Sequence, residues 1–267
     1  MRTLLTSSPC AIKRKCGGGN MGPIYIMWLR QLKRYFRSRA RMIGSLGQPL
    51  IFLLAFGFGF GNIYSKAGNG DYLQFLAPGV ISMAVLFTAV FSGIELIWDR
   101  QFGFLKETLV APVSRLSIMI GRTLGGATVA MLQGTIVLLI SLLFGFRPNF
   151  QSILISLLFM FLIALLFTAF GTALASQLND MQSFPLIMNF LVMPLFFFSG
   201  AIFPLKGVTP ILTIVASCNP LAYGVDGLRA SFGGDSFYGM GVDFLVLGLF
   251  SAFFLALGSY LFSKIEI

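Results

Sequence analysis

The stretch Leu157 to Ala175 reads LLFMFLIALLFTAFGTALA and contains no charged side chain. As an α-helix, a run of this length extends roughly 29 Å, which is about the thickness of the hydrocarbon core of a membrane. Polar and apolar residues do not alternate in it, as they would in a strand of a transmembrane β-barrel. A helix also satisfies its own backbone groups, which lipid cannot do. The run therefore predicts a transmembrane α-helix.

The whole chain has the same character. Of its 267 residues, 57% are hydrophobic and 10% are charged, and the mean hydropathy is +0.87. A soluble domain carries about 25% charged residues, so this chain is too apolar to cover a water-facing surface. We therefore predict an all-α polytopic membrane protein with six transmembrane helices. Their expected positions are 43–63, 74–98, 116–144, 151–177, 183–203 and 241–262.

The distribution of basic residues predicts the orientation. The chain has 19 Lys and Arg residues and a net charge of +10. With six spans, all but four of them lie on one side; the four are Lys66, Arg147, Lys206 and Arg229. Basic residues concentrate on cytoplasmic segments, so we expect both termini in the cytoplasm and the protein in the cell (plasma) membrane. This accounts for the positive charge, and no nucleic-acid partner is expected.

The N-terminal region divides into two parts. Residues 1–23 are rich in glycine after a basic triplet and predict a flexible extension, followed by the six-helix domain at 24–267. Residues 24–41 predict an amphipathic interfacial helix whose basic residues share one face: Arg30, Lys33, Arg34, Arg37 and Arg41. The opposite face carries Trp28, Leu32, Tyr35 and Phe36. The pattern is typical of a helix at the membrane interface, and a calmodulin-target-like or solvated helix is the alternative.

The residue inventory argues against catalysis by this chain. Histidine, the commonest general base and metal ligand, is absent. Cys10, Cys16 and Cys218 form no C-x-x-C pair, so neither a zinc site nor a disulfide is predicted. The phosphate-loop motif G-x-x-x-x-G-K-S/T does not occur. We therefore expect no catalytic, metal-binding or cofactor-binding residue, and nucleotide chemistry would come from a partner.

The connection 99–115 is longer than a helical hairpin needs and mixes charged with apolar side chains. We predict a short helix over 99–112 that Pro112 ends. Its apolar residues include Phe102, Phe104 and Leu105. Two interpretations fit: the helix inserts these side chains into a groove of a partner protein, or it lies on lipid headgroups.

Glu95 lies about one turn inside the end of the second predicted span. A carboxylate in lipid is costly, so by default it marks a functional site. The alternative is that it lies near the interface and pairs with Arg100 or Arg122. No other charge is expected deep in a span, which argues against a proton or ion pump.

Two pairs of glycines have the spacing that lets helices approach closely, Gly57-x-x-x-Gly61 and Gly121-x-x-x-Gly125. The spacing is common within ordinary helix bundles and is also found where two copies of a chain meet. The sequence leaves both interpretations open.

Three motifs carry a resemblance to a known family. The first is Asp99-Arg100-x-Phe102-Gly103-x-Leu105-Lys106-Glu107, followed by Ala111-Pro112-Val113-Ser114-Arg115 and Gly121-Arg122. The second is Ser199-Gly200-x-x-Phe203-Pro204-Leu205, and the third is Asn219-Pro220-Leu221-x-Tyr223 with Val225-Asp226-Gly227-Leu228-Arg229. Over roughly residues 24–265 the chain resembles the type-2 ABC transporter permease family, most closely its daunorubicin-resistance and nodulation-factor export branch. Gln101 is a departure, because the family commonly has an acidic residue there.

The resemblance implies a permease that works with a separate ABC ATPase subunit, which binds ATP and Mg²⁺, and with a second copy of the chain or a paralogue. It implies that the interfacial helix and the loop after span two contact the ATPase. The loop residues are Asp99, Arg100, Phe102, Gly103, Leu105, Lys106 and Glu107. It also implies short external re-entrant helices before span six, with the motif residues Asn219, Pro220, Tyr223, Asp226 and Arg229.

The expected function is export of a hydrophobic or amphiphilic, drug-like compound. The family also exports polysaccharides, lipid-linked glycans and lipo-oligosaccharides, and export of such a compound is the alternative. A stand-alone channel or carrier would need embedded charges or polar filters, which are sparse in these spans. An integral membrane enzyme would need clustered acids or a nucleophile–base pair, which the sequence does not show.

Overall fold

A computed structural model describes residues 21–66, 72–104, 113–178, 180–205, 207 and 209–263. All regular secondary structure in these residues is helical, so the predicted all-α class is confirmed. In chain order the helices are α1 (Met21–Arg37), α2 (Arg39–Lys66), α3 (Tyr72–Phe91), α4 (Ile94–Gln101), α5 (Arg115–Leu143), α6 (Phe150–Gln177), α7 (Ser183–Phe197), α8 (Pro210–Ser217), α9 (Pro220–Ser231) and α10 (Met240–Ser263). Residues 1–20 of the predicted extension lie outside the described residues.

Five helical segments are long and apolar enough to cross a membrane: α2, α3 with α4, α5, α6 and α10. They lie at five of the six predicted positions. α7 occupies the remaining position, 183–203, but it ends at Phe197 after 15 residues. α8 and α9 pass the same test only together, and they meet at 93°. The described residues therefore hold five long apolar segments, or six if the bent pair is one span.

Helix α3 lies at the centre of the bundle, where it packs against α2, α5, α6, α7 and α9. In the most apolar stretch of α3 and α4, 72% of the residues are buried. The corresponding share is 11% for α2 and 17% for α10, which therefore lie at the periphery. Large aromatic side chains fill much of the core around α3, including Phe159, Phe167, Phe184, Phe196 and Phe262.

The second predicted span is interrupted by a two-residue turn between α3 and α4, although the two helices together form one apolar segment of 30 residues without a sharp bend. The break falls at Ser92 and Gly93, where the backbone of Gly93 lies against that of Gly171 on α6. A Cβ on Gly93 would lie 2.5 Å from the carbonyl oxygen of Gly171. A Cβ on Gly171 would come equally close to the carbonyl oxygen of Val90. Two glycines thus allow a backbone contact that a larger residue would prevent, and the expected continuous helix 74–98 divides there.

Helix α7 packs against the last turns of α3, and the chain that follows α7 reaches the start of α3. Phe184, at the start of α7, contacts Phe91 at the end of α3, with ring centroids 6.3 Å apart. After α7 the chain turns at Gly200, whose φ of +75° is a left-handed conformation that glycine adopts without strain. The hydroxyl of Tyr72, at the start of α3, then donates to the carbonyl oxygen of Ile202 at 3.3 Å. The turn explains why the helix ends before the predicted boundary at 203.

Candidate functional site

Helix α1 packs closely along α5. Two glycines of α5 permit this, because a Cβ on Gly121 or on Gly125 would come within 2.8 Å of α1 atoms. The Gly121-x-x-x-Gly125 spacing is therefore used within the chain. α1 begins at Met21, three residues before the predicted start, because Pro23 is tolerated in the first turn of a helix.

Two of the aromatic side chains of α1 form hydrogen bonds with α5. The indole nitrogen Nε1 of Trp28 donates to Thr128 Oγ1 at 3.0 Å, and the hydroxyl of Tyr35 donates to Gln133 Oε1. Phe36 remains exposed. The side of α1 that the sequence assigns to the lipid interface therefore lies partly against a neighbouring helix.

Six charged residues hold α1 and α2 against α4 and α5. We call them the arginine–carboxylate cluster: Arg30, Arg34, Arg41, Glu95, Asp99 and Arg122. Asp99 is 2% exposed and accepts hydrogen bonds from three guanidinium groups. Arg30 Nη2 lies 2.7 Å from Oδ2, Arg34 Nη2 lies 3.1 Å from Oδ1, and Arg122 is the third donor. Asp99 is thus an internal anchor for three helices.

Glu95 lies one helical turn before Asp99, so the two carboxylates share a face of α4. It is 5% exposed; its Oε2 accepts from Arg34 at 3.3 Å and its Oε1 accepts from Arg41. Arg122 donates to the backbone carbonyl of Glu95 at 3.5 Å. The carboxylate is therefore paired, but with Arg34 and Arg41 rather than with the predicted Arg100 or Arg122, because the side chains of these two arginines reach it from α1 and α2.

The cluster brings opposite charges together where water is largely excluded. Burial alone would lower the pKa of Arg34, but the carboxylates of Glu95 and Asp99 outweigh burial, and the pKa is raised. Desolvation of charged groups costs free energy, which their attraction offsets only while every partner is present. Removing one partner of a buried pair costs about 3–5 kcal/mol. The position of α1 is therefore energetically linked to that of α4.

Large aromatic side chains are exposed around the end of α4. They are Trp98, Phe102 and Phe104, which we call the aromatic patch, and Phe102 is 68% exposed. Gly103 has a φ of +78°, so the chain turns directly after the helix. Asp99 is buried on the same helix. α4 therefore joins the arginine–carboxylate cluster to the aromatic patch.

The other residues that the sequence predicts to contact the ATPase differ in their exposure and in whether they lie among the described residues. α4 ends at Gln101, so residues 99–101 continue a helix that begins at Ile94 rather than starting a new one. Arg100 is half-buried, and Lys33 and Arg37 of α1 are exposed. Leu105, Lys106 and Glu107 lie outside the described residues, as does the rest of the predicted helix up to 112.

The motif residues before α10 connect α7, α8 and α9. The side chain of Asn219 caps α9 by accepting from the backbone nitrogen of Leu221 at 3.0 Å, and it donates to the carbonyl of Leu195 at 2.6 Å. Pro220 occupies the first position of α9, where its missing N–H group is not needed. The hydroxyl of Tyr223 donates to a backbone carbonyl of α8 at 2.9 Å. These residues stabilise the sharp bend between α8 and α9.

Asp226 and Arg229 connect α9 to the segments on either side of it. Arg229 donates to the carbonyl of Gly200 at 2.9 Å, and its guanidinium lies 4.0 Å from the ring centroid of Phe75. Asp226 accepts four hydrogen bonds of 2.8–2.9 Å from the segment that precedes α10. The donors are the Ser236 hydroxyl and the backbone nitrogens of Phe237 and Tyr238.

The sequence-based site omits one buried acid. Asp243, in the first turn of α10, is completely buried, and neither carboxylate oxygen has a hydrogen-bond partner among the described residues. Asp243 falls inside the predicted span 241–262, but it lies in the first turn of α10, near the end of that span. Its burial therefore comes from packing between protein segments, and the expectation that no charge other than Glu95 lies deep in a span stays a prediction. The described residues contain no group of three or more His, Cys, Asp or Glu that could hold a metal ion.

Comparison with known proteins identifies the family. The model of the ABC-2 type transporter family matches residues 23–233. A protein named transport permease ycf38 from Cyanophora paradoxa is 30% identical over 210 residues, which cover 77% of this chain and 72% of the relative. The inner membrane transport permease YadH of Escherichia coli K12 is 28% identical, with 77% and 81% covered. Nodulation protein J of Rhizobium leguminosarum bv. viciae is 25% identical, with 76% and 79% covered. The chain therefore belongs to the ABC-2 type transporter permease family.

Proposed function

We propose that this chain is the membrane-spanning subunit of an ATP-driven exporter and that a separate ABC ATPase subunit binds ATP and Mg²⁺. The family is one of transport permeases, and the chain is a multi-pass membrane protein. Within this proposal, the chain supplies the path across the membrane and the surface on which the ATPase acts. Three features support it: the connection through α4, the arrangement of α7 to α9, and the exposed faces of α2 and α10.

The observation that carries the proposal is that one short helix bears both Asp99 and the aromatic patch. Exposed aromatic residues are typical anchors of protein interfaces, and charged residues around them fix orientation. Movement of the patch displaces α4, and the ion pairs of Asp99 transmit that displacement to α1 and α5. Coupling between sites requires such an element with two arrangements that both sites influence. In this proposal the patch, together with exposed Lys33 and Arg37, faces the ATPase in the cytoplasm.

We infer that α7 is the fifth of six spans. From Phe184 to Ile202 the chain runs beside α3 from the level of Phe91 to that of Tyr72. Nineteen residues of α3 separate these levels, which corresponds to roughly 29 Å. The segment thus reaches about as far as the hydrocarbon core is thick, although only its first part is helical.

The bent pair α8–α9 is then a re-entrant segment on the external side. Its contacts with α6 support this, since Gly224 lies against Ile163 and Gly227 lies against Phe159. Further along, Phe232 contacts Phe146, which precedes α6. From Gly224 to Phe232, the contacted residues move from Ile163 towards the N-terminal end of α6 and away from its C-terminal end at Gln177. Six spans with both termini in the cytoplasm follow, which agrees with the distribution of basic residues.

The exposed faces of α2 and α10 are apolar. They include Ile43, Ile51 and Leu54 on α2 and Leu245, Leu249 and Phe253 on α10. In this proposal these faces contact lipid and a second copy of the chain or a paralogue, so that the substrate path lies between two permease chains. Apolar side chains suit contact with lipid. They also suit contact with another permease chain, because transmembrane helices associate through close packing of their side chains.

The proposed substrate is a hydrophobic or amphiphilic compound of the drug-like class. The alternative is a polysaccharide, a lipid-linked glycan or a lipo-oligosaccharide, which the relatives named nodulation protein J favour by their name. An efflux assay on a strain that lacks this gene distinguishes the two. Accumulation of an amphiphilic dye supports the first class, and loss of surface glycan with normal dye efflux supports the second.

Affinity purification of the chain from its native membrane tests the proposal. We expect an ATPase with a phosphate-loop motif to co-purify, and we expect Phe102→Ala to reduce its recovery on the order of fivefold, which corresponds to about 1 kcal/mol. Phe150→Ala is the matched control, since Phe150 is also a strongly exposed phenylalanine and lies at the opposite end of the bundle. Equal loss in both variants would contradict the proposed surface. Transport by the purified chain without any ATPase would contradict the function.

A further inference from the structure

A cavity of about 370 Å³ lies between α1, α2, α3 and α5, next to the arginine–carboxylate cluster. Its volume is in the range of pockets that bind small molecules. Arg41 and Glu95 line one part of it, and Phe87 and Phe91 line another. A cavity with charged and aromatic walls is suited to a molecule that has both a charged and an apolar part.

Arg41 has hydrogen-bond donors that the protein does not use. Among the described residues its guanidinium has one partner, Glu95 Oε1. A guanidinium carries five N–H donors in a fork that matches the oxygens of phosphate and carboxylate. Most donors of Arg41 are therefore available to a ligand in the cavity.

The surroundings of Arg41 carry an excess of positive charge. Four guanidinium groups of the cluster face two carboxylates, so two positive charges remain unbalanced. Every carboxylate oxygen already accepts from at least one arginine. An anion beside Arg41 would thus gain attraction without displacing an existing ion pair.

Uncharged polar groups extend this part of the cavity. Gln31 and Gln48 line it, as does Tyr35. The Tyr35 hydroxyl is bonded to Gln133 Oε1, a buried residue that does not line the cavity. The side-chain amides of Gln31 and Gln48 can donate hydrogen bonds to the oxygens of a bound headgroup.

Helix α2 forms the outer wall of the cavity. Pro49, which lines it, cannot supply the helical hydrogen bond to the carbonyl of Ser45, so one backbone hydrogen bond of the helix is missing at this wall. Ile43 and Ile51 on α2 are strongly exposed and face the lipid when the helix spans the membrane. A molecule dissolved in the adjacent leaflet is therefore separated from the cavity by a single helix.

We propose that this cavity binds a phosphate-bearing amphiphile from the adjacent leaflet, with its headgroup at Arg41 and its apolar chain along Phe87 and Phe91. Two sources share this chemistry: a membrane phospholipid that stays in place and an amphiphile that is transported. The site is a property of the single chain. Its test therefore requires no ATPase, and the proposed export function can fail without affecting it.

The test uses the full-length chain in nanodiscs that contain a photoactivatable phosphatidylglycerol or the phosphatidylcholine with the same acyl chains. We expect phosphatidylglycerol to label the peptides around Arg41 and Phe91 several-fold more than phosphatidylcholine. Equal labelling by the two lipids would overturn the proposal, because the cationic surroundings would then have no effect on selection.

A cavity-filling variant provides the first check on location. A Cβ on Gly44, which lines the cavity, meets no atom within 4 Å, so a larger side chain can be introduced there and Gly44→Leu is the cavity-filling variant. Gly47→Leu is the matched control, since Gly47 lies in the same helix, is equally unobstructed and does not line the cavity. We expect labelling to fall several-fold in Gly44→Leu and to persist in Gly47→Leu. The same labelling in both variants would overturn the proposal.

A charge variant provides the second check. We expect Arg41→Gln to reduce labelling by phosphatidylglycerol several-fold and to leave labelling by phosphatidylcholine unchanged. Arg39→Gln is its control, because Arg39 is an exposed arginine two residues away that does not line the cavity. An equal loss in Arg39→Gln would show attraction to the surface alone and would overturn the site.

The two sources are separated by adding ATP to the permease together with its ATPase. Labelling that persists during turnover identifies a resident lipid, and labelling that falls with ATP identifies a transported amphiphile. Both results support binding in the cavity. Absence of labelling before ATP is added would contradict it.

Discussion

The carboxylate of Asp99 accepts a hydrogen bond from Arg30 Nη2 at 2.7 Å, although 69 residues separate the two along the chain. Arg30 lies on α1, and Asp99 lies on the helix that ends at the aromatic patch. The contact fixes α1 to the part of the chain that we propose to face the ATPase. Because Asp99 is buried, removing its charge should change the stability of the protein.

We expect Asp99→Asn to lower the free energy of unfolding by about 3 kcal/mol, because Arg122 is then buried without its charged partner. The measurement is thermal unfolding in detergent, combined with the ATPase rate of the assembled transporter. Arg147→Gln, which removes an exposed charge at the opposite end of the bundle, is expected to change neither by much. If Asp99→Asn unfolds at the same temperature as the wild type, the cluster does not hold α1 in place.

The close packing of α1 on α5 leads to a second prediction. A side chain at Gly125 would collide with Gln31, so Gly125→Val should separate the helices and cost roughly 1–3 kcal/mol. We expect trypsin to cleave after the exposed Lys33 several-fold faster in this variant. Gly47→Val, in an open part of α2, controls for the introduction of a β-branched residue into a helix. Unchanged cleavage accompanied by a change in oligomeric state would indicate that the glycine face contacts a second copy instead.

Two acids, Asp226 and Asp243, should differ in how replacement by asparagine changes the stability of the protein. Asp226 uses its charge in four hydrogen bonds, so Asp226→Asn should destabilise the protein by about 1–3 kcal/mol. Asp243 has no hydrogen-bond partner among the described residues, so Asp243→Asn should leave stability unchanged or raise it by up to about 2 kcal/mol. The measurement is thermal unfolding of both variants under the same conditions. A clear loss in Asp243→Asn would mean that its carboxylate has a partner of another kind.

The proposed orientation can be tested by thiol labelling. In a variant without Cys10, Cys16 and Cys218, we expect Phe102→Cys to react with a membrane-impermeant maleimide only after the cells are opened. Asn149→Cys should react in intact cells, since Asn149 is exposed at the opposite end of the bundle. Labelling of Phe102→Cys in intact cells would reverse the topology and remove the aromatic patch from reach of any cytoplasmic ATPase.

The sequence predicts the helices better than it predicts their contacts. The apolar runs locate five long segments because the length of a membrane helix is determined by the lipid. The break at Gly93 and the early end of α7 depend on how closely neighbouring backbones approach. Hydropathy does not contain that information.

The arginine–carboxylate cluster shows the same distinction. Helical spacing correctly groups Arg30 and Arg34 on one face of α1, but it cannot show that this face lies against Asp99 rather than water. The spacing of Gly121 and Gly125 predicts a close approach of two helices and does not say which helix approaches. Both questions are decided by tertiary packing between segments that are far apart in sequence.

The break between α3 and α4 has a consequence for how a signal would travel through this protein. At Gly93 the backbone lies directly against that of Gly171, so a displacement of α4 also acts on α6. Helix α3, the other part of the same span, is enclosed by the core on most sides. In the proposed transporter, a displacement of α4 would therefore reach α1, α5 and α6 together, through the ion pairs of Asp99 and the glycine contact, and the enclosed α3 would move less.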